Sequence, residues 1–138
     1  MVKKVFVNFS NHPSNSWDEK QKKASEQYGS IEDLSFPMVS AQASREEVSM
    51  LAQDYYRKIM EHHPVAVMCQ GEFTLCFRVV ELLKQARILV LAACSERLVT
   101  EKDGKKSLNL NLGNIVNIKE YENLYKENQT CTKAQTMK

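Results

Sequence analysis

The sequence predicts an α/β fold: a Rossmann-like three-layer sandwich whose mainly parallel sheet has strand order 2-1-3-4 and is extended by a C-terminal β-hairpin. Three observations predict it. Short β-rich runs alternate with helical patterns along residues 4–93, the rhythm of a parallel sheet covered by helices. Two of those runs, residues 65–69 and 88–93, are almost continuously apolar, as strands buried on both faces are. Beyond residue 97 the rhythm changes to two strand-like runs around Lys-Asp-Gly-Lys, and Asp-Gly is a strong hairpin signal.

Residues 4–9 (Lys-Val-Phe-Val-Asn-Phe) form the first predicted strand. Turn residues follow at 10–15, and Ser16 with Glu19 has the spacing of a capping box that opens a helix. Trp17, Gln21, Ala24 and Tyr28 share one face of it, and Gly29 ends it. Residues 31–36 form a second strand, closed by Pro37. Ser44 and Glu47 repeat the capping-box spacing, and Val48, Leu51, Ala52, Tyr55 and Ile59 then recur at helical intervals as far as about His62. After the third strand, Gln70-Gly71-Glu72 is a tight turn. A third helix covers about residues 73–86, with Phe73, Cys76, Phe77, Val80 and Leu83 as its expected apolar face. Leu108, Leu110 and Leu112 alternate with asparagines in the second hairpin strand. Residues 115–125 read equally as strand or helix. Residues 1–125 form one domain, and residues 126–138 a polar, flexible tail.

With 138 residues the chain is long enough for one real core. Hydrophobic residues make up 43% and charged residues 26%, an ordinary globular balance. A net charge of +2 argues against long nucleic acid as a partner. No run approaches the roughly 18 apolar residues of a membrane span, and the start has no signal-peptide pattern, so a cytoplasmic protein is expected. Cys69, Cys76, Cys94 and Cys131 fit no zinc pattern; Cys69 and Cys94 read as small hydrophobes. His62 and His63, just before Pro64, read as polar helix-end residues, so no metal is expected. Gly-x-Gly-x-x-Gly, Walker, Gly-x-Ser-x-Gly and His-Glu-x-x-His motifs are all missing, which disfavours dinucleotide, ATP-hydrolysing and zinc-protease chemistry; no cofactor is expected.

In strand order 2-1-3-4, strands one and three are neighbours whose outgoing connections diverge to opposite faces, and open α/β sheets bind ligands at that point. The geometry selects three loops. Asn8, Ser10, Asn11 and His12 follow strand one; Gln70, Gly71, Glu72 and Thr74 follow strand three; Ser95, Glu96 and Arg97 follow strand four. Two helix N-termini would aim their amides at the same edge, ready for phosphate, and Gly71 would let a ligand approach the backbone. Each residue also has a plainer reading. Ser10, Asn11 and Ser14 are common turn residues, Ser95 and Glu96 can cap a turn, Arg97 can pair with Glu101, and His12 beside Pro13 can be a solvated loop residue.

Three segments carry a likeness: Val-Phe-Val-Asn-Phe-Ser-Asn-His at 5–12, Cys-Gln-Gly-Glu-Phe-Thr at 69–74, and Leu-Ala-Ala-Cys-Ser-Glu-Arg at 91–97. With the hairpin, they resemble the small stand-alone CRISPR-associated Rossmann-fold proteins of type III systems, over roughly residues 3–121; the segment after Leu112 departs from the pattern. The resemblance implies a cyclic oligoadenylate ligand, a homodimer with the ring across its two-fold axis and, in the ring-nuclease subset, metal-free opening of that messenger, which switches off antiviral signalling. Attack by a ribose 2′-hydroxyl would need in-line positioning, donors to the phosphate oxygens and a proton-transfer group near neutral pKa. His12 is the candidate for the last role. Ser10, Asn11, Ser95 and Arg97 are candidate donors, and Glu72 or Glu96 can orient a ribose hydroxyl. Three alternatives stay open: a sensor or sponge that binds without cleaving, an unrelated nucleoside- or nucleotide-processing enzyme using Glu72 or Glu96, and a partner-binding module using the hairpin.

Overall fold

The computed structural model describes residues 3–102 and 105–117, with side chains through residue 94. Chain order is β1 (Val5–Ser10), α1 (Glu19–Glu26), β2 (Ser30–Ser35), α2 (Arg45–Glu61), β3 (Ala66–Gln70), α3 (Phe73–Gln85), β4 (Leu89–Lys102) and β5 (Lys105–Asn117), with a 3-10 turn at Ser14–Ser16. The sheet order is β2-β1-β3-β4-β5. The first four strands are parallel, and β5 runs antiparallel to β4. The expected fold class is therefore present, with the 2-1-3-4 order and the hairpin at the β4 edge.

Alternation along the central strands divides the core in two. Val5, Val7 and Phe9 of β1, Val67 and Cys69 of β3 and Val90 of β4 face α2 and α3, which contribute Ala52, Ile59, Leu75, Val79 and Leu83. Phe6, Ala66, Met68, Leu91 and Ala93 point to the other face, where Trp17 covers them and Tyr28 packs alongside. Phe6 and Phe9 are completely buried, so β1 carries core on both sides, each ring contributing about 2–3 kcal/mol by burial. The β1–β3 neighbourhood, with helices leaving to opposite faces, is the predicted divergence point.

Three local expectations are corrected. The first helix is opened by Asp18, not by a Ser16–Glu19 capping box: the Asp18 carboxylate accepts from the Gln21 amide at 2.8 Å. Trp17 has an extended backbone and a buried side chain, and its indole N–H donates to the His12 carbonyl at 3.1 Å. Anchoring that ring holds the chain out of helical geometry until residue 18. On α3 the buried face is Leu75, Val79 and Leu83, whereas Phe73 and Phe77 are 76% and 55% exposed. Two residues, about 200° around the helix, separate the Phe73/Phe77 row from the Leu75/Val79 row, and packing against the sheet selects the second.

The third correction concerns Ser95, Glu96 and Arg97. They do not form a loop after β4 but lie within it, opposite Leu112, Asn111 and Leu110 of β5. No glycine, proline or asparagine interrupts residues 94–102, and the antiparallel partner supplies ladder hydrogen bonds along the whole length, so nothing stops the strand. The irregularity sits at Cys94, where one residue of β4 spans two of β5, Gly113 and Asn114. The strands close at Lys102 opposite Lys105; the expected Asp103-Gly104 turn lies outside the described residues, as do residues 118–125, Cys131 and the 126–138 tail.

The second helix matches its reading. The Ser44 hydroxyl accepts from the Glu47 amide at 3.1 Å, and the helix ends at His62 and at His63, which takes a left-handed conformation (φ 48°). His62 pairs through Nδ1 with Glu32 of β2. Among the described residues, no helix is long and apolar enough to cross a membrane.

Candidate functional site at the carboxyl edge of the sheet

The carboxyl ends of β1 and β3 lie side by side, with Ser10 paired to Gln70. Around β1 the polar residues bind one another. Asn8, 1% exposed, donates from Nδ2 to the His12 carbonyl at 2.9 Å and to Asp33 Oδ1 at 3.0 Å. Its Oδ1 accepts from the Ser10 hydroxyl at 2.7 Å. The His12 amide donates to Ser10 Oγ at 3.2 Å. Asp33 also accepts from the Ser14 amide and hydroxyl at 3.1–3.3 Å. Asn8 and Ser10 thus brace the β1–α1 loop from within the core. The Asn11 side chain stands exposed and the His12 ring half-buried, and neither makes a hydrogen bond among the described residues.

The β3–α3 turn is built in a similar way. Gln70 Oε1 accepts from the Ala93 amide at 3.0 Å, bracing β4 just beyond its last pairing with β3. Gly71 is needed for packing: a Cβ there would lie 2.6–2.7 Å from ring carbons of the buried Phe36. The close neighbour is a side chain of the core, and that alone accounts for the glycine. Glu72 is the N-cap of α3. Its carboxylate accepts from the Leu75 amide at 3.0 Å, the Thr74 amide at 3.1 Å and the Thr74 hydroxyl at 2.7 Å. The Leu75 amide first, and the Thr74 hydroxyl after it, hold the Glu72 carboxyl below its ordinary range. Both helix N-termini expected to receive phosphate, those of α1 and α3, are therefore capped by the chain's own carboxylates, Asp18 and Glu72.

A depressed carboxyl pKa contributes stability above the unfolded value, about 4.3, and that stability is lost as pH falls through the folded value. Replacing Glu72 with alanine is expected to cost about 1 kcal/mol at pH 7, with solvent exposure keeping it from being larger. The gap from wild type should close below about pH 4, as followed by urea unfolding across pH.

Beside this turn lies a cavity of about 650 Å³ between the β2–α2 loop and the first turns of α2 and α3. Val39, Val48 and Phe77 supply its apolar wall. Arg45, Arg78, Glu72 and Glu81 supply two charges of each sign, and Ser40, Ser49 and Thr74 supply hydroxyls. The Arg45 side chain is 92% exposed, its guanidinium 3.8 Å from the Glu46 carboxylate, while Arg78 sits 3.3 Å from Glu81. Such a lining can hold a flat ring against Phe77, hydroxyl or amino groups against the carboxylates, and an anion against Arg45.

Of the residues selected from sequence, Glu72 and Thr74 line this cavity; Asn8, Ser10, Asn11, His12, Gln70 and Gly71 are at the same sheet edge but not in its wall. Sequence reading missed Arg45, Phe77 and Arg78. Arg45 is the first residue after a recognised cap, and Phe77 was assigned to the core. The signal was present: a helix offering both Leu75/Val79 and Phe73/Phe77 as apolar rows has one row to spare.

Comparison with curated proteins yields no match. A family model matches residues 4–111, from β1 into the first half of β5, and thus takes in the whole parallel sheet and the carboxyl-edge loops; the chain belongs to the Uncharacterized protein MJ1673 family.

Proposed function

We propose that this chain binds cyclic oligoadenylate at the carboxyl edge of its sheet and, as a cytoplasmic homodimer, opens the ring without a metal, in the manner of the type III CRISPR-associated Rossmann-fold proteins it resembles. The cavity beside Glu72 and Thr74 carries the reading. Its volume suits one or two nucleotides rather than a whole ring. A two-fold partner would bring a second cavity to the same ring. An adenine face has Phe77, its amino group or a ribose hydroxyl has Glu72 or Glu81, and a phosphate has Arg45.

His12 is the proton-transfer residue of this proposal, and Arg97 a donor from β4. One observation favours a binding-only sensor instead: His12 lies on the β1–α1 loop and does not line the cavity. Incubation with labelled cyclic tetra- and hexa-adenylate in excess EDTA separates the two. Linear products, slowed about 10²–10⁴-fold by His12→Ala, support cleavage. Stable binding through many turnover times supports the sensor. Turnover of mononucleotides with indifference to both rings would replace the proposal with a nucleotide-processing enzyme.

A further inference from the structure

Cys69 and Cys76 form a thiol pair that the ligand reading does not use. Cys69, the penultimate residue of β3, lies inside the core, 2% exposed; Cys76 stands half-buried in the first turns of α3. Their sulfurs are 3.3 Å apart. Each thiol also lies within reach of the other's carbonyl, Cys76 Sγ at 3.5 Å from the Cys69 oxygen and Cys69 Sγ at 3.9 Å from the Cys76 oxygen. The strand-turn-helix connection therefore holds two sulfurs near contact across six intervening residues.

We propose that Cys69 and Cys76 are a redox-active dithiol that low-molecular-weight disulfides convert reversibly into an intrachain disulfide. Closure needs the sulfurs to approach by little more than 1 Å, to the ~2.05 Å of a disulfide. The two thiols have different roles. Either sulfur can donate across the 3.3 Å contact; that contact with Cys69 first, and the backbone at Gly71 after it, hold Cys76 below the ordinary thiol range. The contact with Cys76, followed by burial, pushes Cys69 well above that range. Cys76, the more exposed of the two, is the attacking thiol, and Cys69, buried in the core, the resolving thiol.

The chemistry balances. The Cys76 thiolate attacks one sulfur of the small disulfide, forming a mixed disulfide and releasing one thiolate. Cys69 gives up its proton and attacks Cys76 Sγ, expelling the second thiolate. Two protein thiols and one small disulfide become one protein disulfide and two small thiols. The bond would tie the end of β3 to α3 across the Gln70–Glu72 turn.

The test uses full-length protein carrying Cys94→Ser and Cys131→Ser, so that two thiols remain. Equilibration with oxidised glutathione should remove both titratable thiols, lower the intact mass by two hydrogens, and yield one peptide linking residues 69 and 76; dithiothreitol should reverse all three. Cys69→Ala in that background should stop at a stable mixed disulfide on Cys76. If both thiols remain free after equilibration in folded protein, or if glutathione stays attached at Cys76 with Cys69 present, the proposal is overturned. None of these readouts involves the nucleotide ligand, so this result stands apart from that reading.

Discussion

Asn8→Asp is expected to lower stability by about 3 kcal/mol at pH 7, roughly 10 °C in Tm for a chain of this size. The change is nearly isosteric, so packing is spared. It removes both hydrogen bonds that Asn8 donates, to the His12 carbonyl and to Asp33. It also places a second carboxylate within about 3.0 Å of the first, at a position 1% exposed. Two carboxylates that close do not both ionise at low cost. One should therefore take up a proton at elevated pKa, and the stability deficit should shrink as pH falls through that value. Thermal unfolding at pH 7 and pH 5 checks both statements. A variant within about 1 kcal/mol of wild type at pH 7 would mean that the Asn8 network does not hold the β1–α1 loop.

Gly71→Ala is expected to cost about 2–3 kcal/mol, the range of a core overpacking, although residue 71 is itself exposed. The added methyl would meet the Phe36 ring at 2.6 Å. That ring cannot retreat easily, because it packs at 4.7 Å between centroids on the fully buried Phe9. Shortening the obstacle should relieve it: Phe36→Leu is destabilising alone but should make Gly71→Ala much cheaper, a coupling of about 1 kcal/mol or more in a double-mutant cycle. A glycine kept for ligand clearance would show lost binding, unchanged stability and no coupling to Phe36.

These two positions show what a sequence can and cannot disclose. Strand order was legible because residues 65–69 and 88–93 are apolar throughout and alternate with helical patterns, leaving few topologies. The same reasoning placed Asn8, Ser10, Gln70 and Gly71 at the carboxyl edge, where they are. Their partners were not legible. Nothing in the residues between 8 and 33 announces that Asn8 meets Asp33, or that Gly71 faces Phe36, since both contacts follow from three-dimensional register. A polar residue at a sheet edge reads the same whether it binds a ligand or a neighbouring loop. The Ser95–Arg97 segment was misplaced because a strand's end is inferred from breakers, and there are none before Asp103. Phe77 was misassigned because α3 has more apolar faces than the core can take, and sequence does not rank them.

The proposed ligand site lies at the carboxyl edge, on the α2–α3 side of the β3–α3 turn. Titration of ¹⁵N-labelled protein with cyclic tetra- and hexa-adenylate tests it most directly. Saturable amide shifts are expected for Ser40, Arg45, Thr74, Phe77 and Arg78 with at least one of the rings, extending to Asn11 and His12 if the ligand reaches the β1–α1 loop. Shifts confined to the groove that Lys3, Lys4 and Lys22 line between α1 and the amino ends of β1 and β2, or no shifts with either ring, would rule it out.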